Sequence, residues 1–155
     1  MKLRIVALGH KLPTWANAAV DDYARRMPRE FALEMIELKP EARDRGKSVA
    51  QMLDAEAARI ATAASGCQLV ALDEHGDPWT TATLAKHLRA WQDDARATAF
   101  VIGSADGLSP AVKRGATALV ALSALTLPHS LARVVLVEQL YRAVSLLQGH
   151  PYHRE

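Results

Sequence analysis

The chain alternates short apolar runs with stretches in which apolar residues recur every three to four positions. Short apolar runs bounded by turn residues predict buried strands, whereas the longer spacing predicts helices with one buried face. Strands that alternate with helices are typical of βαβ units, so we expect an α/β fold with a mostly parallel sheet and flanking helices. The predicted strands are 3–8, 31–38, 68–72, 98–102 and 118–122. The predicted helices are 15–27, a helix capped by Ser48 and ended by Gly66, 80–91, a short helix around Pro110, and 130–148. The predicted loops include 39–47 and 73–78.

The last predicted helix, 130–148, is more apolar than packing on one sheet face requires. Its polar residues Glu138, Arg142 and Ser145 fall on one narrow stripe, and apolar side chains cover well over half of its circumference. A helix that covers one face of a sheet needs an apolar arc of only about 100°. The remaining apolar surface has to be buried elsewhere, most simply against a second copy of the chain, so we predict a homodimer.

Length and composition limit the class of protein. A chain of 155 residues with 50% hydrophobic and 23% charged residues suits one globular domain spanning 1–155. The net charge of +2 permits an anionic partner without requiring one, and the basic residues between Arg25 and Lys47 predict either a basic face or ordinary solvated charge. The single cysteine, Cys67, excludes an internal disulfide, and no apolar stretch approaches the roughly 20 residues of a membrane span. We therefore expect a soluble, cytoplasmic protein.

Two loops that follow predicted strands carry the candidate binding chemistry. In open α/β sheets, ligands bind beyond the carboxyl ends of the strands, where both loops lie. The first, Gly103 to Gly107, permits a sharp turn and a close backbone approach, but it lacks the spacing of dinucleotide and Walker motifs, and a plain tight turn fits it equally well. The second, Leu122 to Leu127, has neither charge nor glycine, so its backbone N–H and C=O groups need partners in protein, water or ligand. A planar heterocycle such as adenine is one candidate.

Polar side chains near the carboxyl terminus are candidates for substrate contact, each with an ordinary alternative. His129 follows a proline at a predicted helix start and is either a cap, a surface residue or a ligand contact. Arg142 lies four residues after Glu138, and the simpler interpretation is an ion pair along the helix. The tail 150–155 suits RNA better than a metal, because Tyr and His stack on bases, Arg contacts phosphate, and no Cys, Asp or Glu lies at ligand spacing. We therefore predict RNA contacts from Tyr152, His153 and Arg154, and no metal.

Six blocks distributed along the chain carry a family resemblance. In chain order they are Met1-Lys-Leu, Gly9-His-Lys-Leu-Pro-Thr-Trp15, Leu72-Asp73 with Pro78-Trp79, Ile102-Gly103 with Gly107-Leu-Ser-Pro110, Leu122-Ser-Ala-Leu-Thr-Leu-Pro-His129, and His150-Pro-Tyr-His-Arg-Glu155. Together they resemble the SPOUT class of methyltransferases and, within it, the bacterial RlmH family. The resemblance covers essentially the whole chain, and its last two blocks are the specific ones.

The resemblance implies a C-terminal trefoil knot, a homodimer, and S-adenosylmethionine-dependent methylation of N3 of a pseudouridine in large-subunit (23S) ribosomal RNA of the assembled ribosome. On its basis we assign substrate orientation to Arg142, His129 and His153, without naming a general base. Ser104 stands where the family commonly has a second glycine, and Asp106 where glutamate is usual, so a positive φ at residue 104 would strain the loop. The cofactor contacts that the resemblance implies are Leu72, Gly103, Leu122, Ser123, Ala124, Leu125, Thr126 and Leu127.

Two other functions remain open at this point. A non-catalytic, ribosome-associated factor would bind RNA through the basic face and would not bind S-adenosylmethionine. A small-molecule α/β enzyme would use the tail histidines with a metal, and it would contain zinc.

Overall fold

The strands form one parallel sheet in a computed structural model that describes residues 1–9, 11–43 and 46–154. They are β1 (Lys2–Leu8), β2 (Ala32–Leu38), β3 (Gln68–Pro78), β4 (Thr98–Ile102) and β5 (Ala118–Ala121). The order across the sheet is β2-β1-β4-β3-β5, and every pairing among these strands is parallel. The predicted α/β fold with a largely parallel sheet is confirmed.

Helices cover both faces of this sheet. They are α1 (Thr14–Arg26), α2 (Val49–Ala63), α3 (Thr81–Asp93), α4 (Pro110–Gly115) and α5 (His129–Leu147), with short 3₁₀ turns at Arg29–Phe31 and Pro151–Arg154. One face packs against α1, α3 and α5, and the other against α2 and α4. Successive strand residues point to opposite faces, so Ile5 of β1 enters one core and Val6 the other. Burial on both faces explains why the strands are continuous apolar runs.

Local sequence signals set the helix boundaries. The Ser48 hydroxyl accepts a hydrogen bond from the backbone N–H of Gln51, and the Gln51 side chain accepts one from the backbone N–H of Ser48, which is a complete capping box for α2. Thr80 caps α3 through the backbone N–H of Thr83. These starts agree with the predicted ones, because capping depends on residues within one turn.

The predicted loop at 73–78 is wrong. β3 pairs with β5 at Leu72, bulges outward, and pairs again at Asp77 and Pro78. At Gly76 an added Cβ would lie 2.7 Å from the backbone of Leu119 and of Val120, so β5 passes against this residue. The polar residues of the bulge look like a loop in sequence because they leave the ladder for only a few positions.

The segment after β5 crosses the carboxyl edge of the sheet. It starts at the edge strand and ends at α5, where His129 packs against Gly9 at the end of β1. Because β3 and β4 lie between β5 and β1, residues 122–128 pass the ends of both strands. Within the part of the chain that the structure describes, no helix has the length and apolarity needed to cross a membrane.

The polar stripe predicted on α5 is narrower than expected. Ser145 is buried, and its hydroxyl donates to the backbone oxygen of Arg142. α5 packs between α1 and α3, which buries much of its surface within the one chain. Leu131 and Leu146 remain 39% exposed. The homodimer stays a prediction.

Candidate functional site

A large cleft opens at the carboxyl ends of the strands, where sheets of this kind bind ligands. Its volume is about 1320 Å³, enough for a nucleoside-sized molecule together with part of a second one. The walls come from residues that follow each strand: 9 and 11–13 after β1, 39–43 after β2, 73–75 in the β3 bulge, 103–108 after β4, and 122, 123 and 125–127 after β5.

The glycine loop, residues 103–107, is tightly folded on one side of the cleft. At Gly103 an added Cβ would lie 2.5 Å from the backbone oxygen of Gly107, and Gly107 itself has a φ of +80°. The Gly107 N–H donates to the Ser104 oxygen at 2.8 Å, which closes the turn. Ser104 is not among the residues with positive φ, so the strain considered for serine at this position does not arise.

The adenine candidate loop, residues 122–127, forms another wall of the cleft, and its main-chain N–H and C=O groups have few partners within the protein. The Ser123 hydroxyl accepts a hydrogen bond from the Leu125 N–H at 2.9 Å. The turn and loop hydrogen bonds between main-chain atoms of described residues include none from 123–127. Leu125 is 77% exposed, an unusual position for a leucine. Main-chain donors and acceptors beside aliphatic side chains are therefore available to a planar heterocycle.

The predicted cofactor residues converge at this cleft. Leu72, Gly103, Leu122, Ser123, Leu125, Thr126 and Leu127 line it, and Ala124 belongs to the same loop. They come from three strands that the sheet order places side by side at one edge. Their role stays a prediction, because proximity to a cleft does not identify its ligand.

His129 lies half-buried at the cleft, and its surroundings favour the neutral imidazole. Desolvation, and after it the positive charge of Arg133, lower the pKa of His129, whereas the carbonyls of Leu8 and Gly103 act in the opposite direction. Its Nε2 is buried without a hydrogen-bond partner among described residues. A neutral imidazole has one donor and one acceptor nitrogen, so the buried Nε2 still has capacity for one hydrogen bond.

Arg133, one turn further along α5, is fully buried behind His129. Its guanidinium nitrogens have no hydrogen-bond partner in the described part of the chain, and its recorded ion pair is with Glu37 at 3.2 Å. Gly9 accommodates both side chains, since an added Cβ would lie 2.8 Å from Cε1 of His129 and 3.1 Å from Nη2 of Arg133. A buried, poorly bonded guanidinium is costly, so this corner of the cleft is an unusual place in the fold.

The carboxyl-terminal candidates form a separate cluster. Arg142 pairs with Glu138 at 2.7 Å, as the simpler interpretation predicted, and its guanidinium lies over the ring of Tyr152. The Tyr152 hydroxyl donates to Glu138 at 3.0 Å and lies 3.1 Å from the Tyr23 hydroxyl. Burial, together with the hydrogen bonds to Tyr23 and Glu138, raises the pKa of Tyr152. This tyrosine is therefore a neutral structural anchor for the tail.

The structure does not bring this cluster to the cleft of its own chain. Arg142 follows His129 by thirteen residues of α5, which separates them by about 20 Å along the helix axis. His153 and Arg154 belong to the 3₁₀ turn that packs beside the same end of α5. Only His129 of the predicted substrate-orienting residues lines the cleft; Glu155 lies outside the described residues.

Sequence reasoning missed Arg133 and a second buried charge, Glu56. Each occupies a core-facing position of its helix: Glu56 lies between Met52 and Ile60, and Arg133 precedes the buried Leu136. A charged residue within an apolar stripe is the signal that could have found both. Among the described residues, no group of three or more His, Cys, Asp or Glu side chains could hold a metal ion.

Comparison with known proteins gives consistent similarities. The family model for predicted SPOUT methyltransferases matches residues 1–153. The chain is 56% identical to the ribosomal RNA large subunit methyltransferase H of Nitrosospira multiformis and 52% identical to that of Ralstonia pickettii, over 99% of each chain. Two solved structures share the fold. One is a probable methyltransferase from Bordetella pertussis, which is 18% identical, has a TM-score of 0.57, and covers 92% of this chain and 95% of its own. The other is a probable methylase family protein from Haemophilus influenzae, which is 14% identical, has a TM-score of 0.59, and covers 97% of this chain and 69% of its own.

Proposed function

The chain belongs to the SPOUT methyltransferase family, and we propose that it transfers a methyl group from S-adenosylmethionine to N3 of a pseudouridine in large-subunit ribosomal RNA. The main support is the match, over nearly full length, to relatives named ribosomal RNA large subunit methyltransferase H. We further propose that residues 1–155 act as one domain, in the cytoplasm, on the assembled ribosome. The choice of pseudouridine N3 rests on the sequence resemblance.

The residues around the cleft fit S-adenosylmethionine. Unbonded main-chain groups in 123–127 can pair with the edge of adenine, and aliphatic side chains of Leu72 and Leu122 can contact its faces. Gly103 lets the glycine loop fold back on itself, since an added Cβ would lie 2.5 Å from the Gly107 oxygen, and this compact loop forms one wall of the cleft. When bound, S-adenosylmethionine supplies an electrophilic methyl group on a positively charged sulfur.

The remaining contribution of the chain is to orient the nucleotide. As the N–methyl bond forms, the sulfur–methyl bond of the sulfonium would break to leave a neutral thioether, and the N3–H proton of the imide would pass to solvent, so that the methylated N3 is neutral. His129 lines the cleft, and a turn of its side chain would bring the unpaired Nε2 within reach of an imide oxygen or N–H. We assign positioning to His129, Arg142 and His153 and no general base, since correct placement alone accounts for much of such a rate.

A second copy of the chain would complete the site. Arg142 lies about 20 Å along α5 from His129, too far to contact a nucleotide bound at the cleft. Tyr152, His153 and Arg154 belong to the turn that packs beside α5, and the described residues that line the cleft do not include them. The partly exposed Leu131 and Leu146 offer apolar surface for a partner. We propose a homodimer in which the tail of each protomer reaches the cleft of the other and contacts RNA.

The trefoil knot also belongs to the proposal. Residues 122–128 pass the ends of β3 and β4, and the glycine loop 103–107 projects from the end of β4. A passage of this segment beneath the glycine loop would thread α5 through it.

Mass spectrometry of ribosomal RNA from cells with and without the gene tests the reaction. We expect one N3-methylpseudouridine to disappear on deletion and to return with the wild-type gene. Calorimetry with S-adenosylmethionine separates the enzyme from a purely RNA-binding factor, which would bind no donor.

Removal of residues 152–155 tests the role of the tail. We expect the affinity for S-adenosylmethionine to remain and methylation of the RNA to be lost. Full methylation by this truncated chain would contradict the assignment of RNA contacts to the tail.

A further inference from the structure

Glu56 is a buried carboxylate on the face of α2 that packs against the sheet. It is only 3% exposed, and Met52 and Ile60, one turn to either side, are core residues. The ion pairs recorded between described residues do not include it. A buried carboxylate is costly unless its oxygens are hydrogen-bonded, so its partners matter.

The two oxygens of this carboxylate each accept one hydrogen bond from a different wall of the cleft. The Ser104 hydroxyl donates to Oε1 at 2.8 Å, and the backbone N–H of Glu41 donates to Oε2 at 2.8 Å. Ser104 lies in the glycine loop, and Glu41 lies in segment 39–43; both line the cleft. A glycine at position 104, which the family resemblance led us to expect, would leave Oε1 without this donor.

The other links of segment 39–43 are more exposed. Arg43 forms an ion pair with Asp106 of the glycine loop, and Arg59 pairs with Glu41 and donates to the Lys39 oxygen at 2.9 Å. Side chains in these pairs are up to half exposed, and exposed ion pairs contribute little in water and less in salt. Glu56, at 3% exposed, is therefore the least exposed of the side chains that connect the two walls.

We infer that Glu56 and Ser104 are positioning residues that fix segment 39–43 against the glycine loop and so preorganise the donor pocket. This inference rests on the proposed binding of S-adenosylmethionine in the cleft. A wall that is held in place before binding loses no freedom on binding, whereas a released wall has to be ordered by the ligand. The two residues act as one unit, because the same carboxylate makes both bonds.

A double-mutant cycle tests the inference. Glu56→Met removes both acceptors while filling a similar volume, and Ser104→Ala removes one donor. We expect S-adenosylmethionine affinity, measured by calorimetry, to fall about tenfold in Glu56→Met and about threefold in Ser104→Ala, the net scale of one ordinary hydrogen bond. The double variant should be no weaker than Glu56→Met alone.

Hydrogen exchange without ligand gives a second measurement of the same connection. The Glu41 amide should exchange about tenfold faster in Glu56→Met, since it loses its acceptor. Ser65→Ala is the matched control, because this exposed serine lies on the same side of the sheet and away from the cleft. Alone, it should leave both measurements at their wild-type values, and combined with Glu56→Met it should leave them at the values of Glu56→Met.

The outcomes separate this inference from the proposed function. Additive losses in the double variant, or unchanged exchange at Glu41, would overturn the inference while leaving donor binding intact. Faster exchange of the Glu41 amide with unchanged affinity for S-adenosylmethionine would also overturn the inference, because the position of segment 39–43 would then have no effect on binding. A wild-type chain that binds no donor would refute the proposed function itself, and the exchange cycle would still decide whether Glu56 and Ser104 act together.

Discussion

Substitution of Gly103 by alanine should weaken donor binding without unfolding the chain. The new Cβ would lie 2.5 Å from the Gly107 oxygen and 2.7 Å from the Gly107 carbonyl carbon, both backbone atoms. Ordinary contact begins at 3.4 Å, so the Gly107 oxygen has to move by 3.4 − 2.5, or about 0.9 Å. Overpacking of this kind costs about 1–3 kcal/mol. If the loop takes up the shift, this cost appears as a loss of affinity of about five- to 150-fold.

Calorimetry with S-adenosylmethionine measures the part of this cost that appears as lost affinity, and a thermal melt of the ligand-free protein measures the part that appears as lost stability. Gly115→Ala is the matched control, because nothing lies within 4 Å of its added Cβ and its φ is ordinary. That variant should bind the donor like wild type and should be slightly more stable, since alanine favours a helix. Wild-type affinity in Gly103→Ala would show that the glycine loop does not contact the donor.

Three further predictions concern the surroundings of the cleft. Gly76→Ala should lower the free energy of unfolding, measured by urea denaturation, by about 1–3 kcal/mol, because its Cβ would lie 2.7 Å from the β5 backbone. An unchanged midpoint of urea unfolding would contradict the tight β3–β5 contact. Burial, and after it the charge of Arg133, lower the pKa of His129 from 6.5, so the unfolded chain binds the proton more readily than the folded chain does. The contribution of neutral His129 to stability is fully present above about pH 6.5 and is lost as the pH falls below it. The melting temperature of wild type should therefore fall more than that of His129→Gln between about pH 7 and pH 5. An equal fall in both proteins would refute the lowered pKa of His129. Arg133→Met should be neutral or stabilising in a melt, because it removes a buried charge whose partner Glu37 is half exposed; a loss above about 2 kcal/mol would indicate further partners.

Most of the fold could be predicted from the sequence because local signals agree with the global pattern. The apolar runs that became β1 and β4 end within one residue of their predicted limits, and Ser48 and Thr80 cap helices as expected. The bulge of β3 could not be predicted, because it depends on β5, more than forty residues later in the chain. Strand order is likewise a property of distant pairings.

The candidate site divides in the same way. The cleft loops could be anticipated, since strands followed by small or uncharged segments meet at one edge of a parallel sheet. The separation of Arg142 and the tail from that cleft could not, because it follows from the direction in which α5 leaves His129. Residues that lie close in sequence to the cleft loops can thus lie far from them in space.

Two buried charges connect these observations. Glu56 and Arg133 interrupt the apolar stripes of helices on opposite faces of the sheet, and both lie beside the cleft rather than in the middle of a core. A charge in such a stripe costs stability unless polar groups reach it, and at the carboxyl ends of the strands loop backbones and hydroxyls do so, as Ser104 and Glu41 do for Glu56. The corresponding groups for Arg133 are few, since Glu37 is its recorded ion-pair partner. The Glu56 side of the cleft is therefore organised by the chain itself, and the Arg133 side is where a bound ligand or water would add most stability.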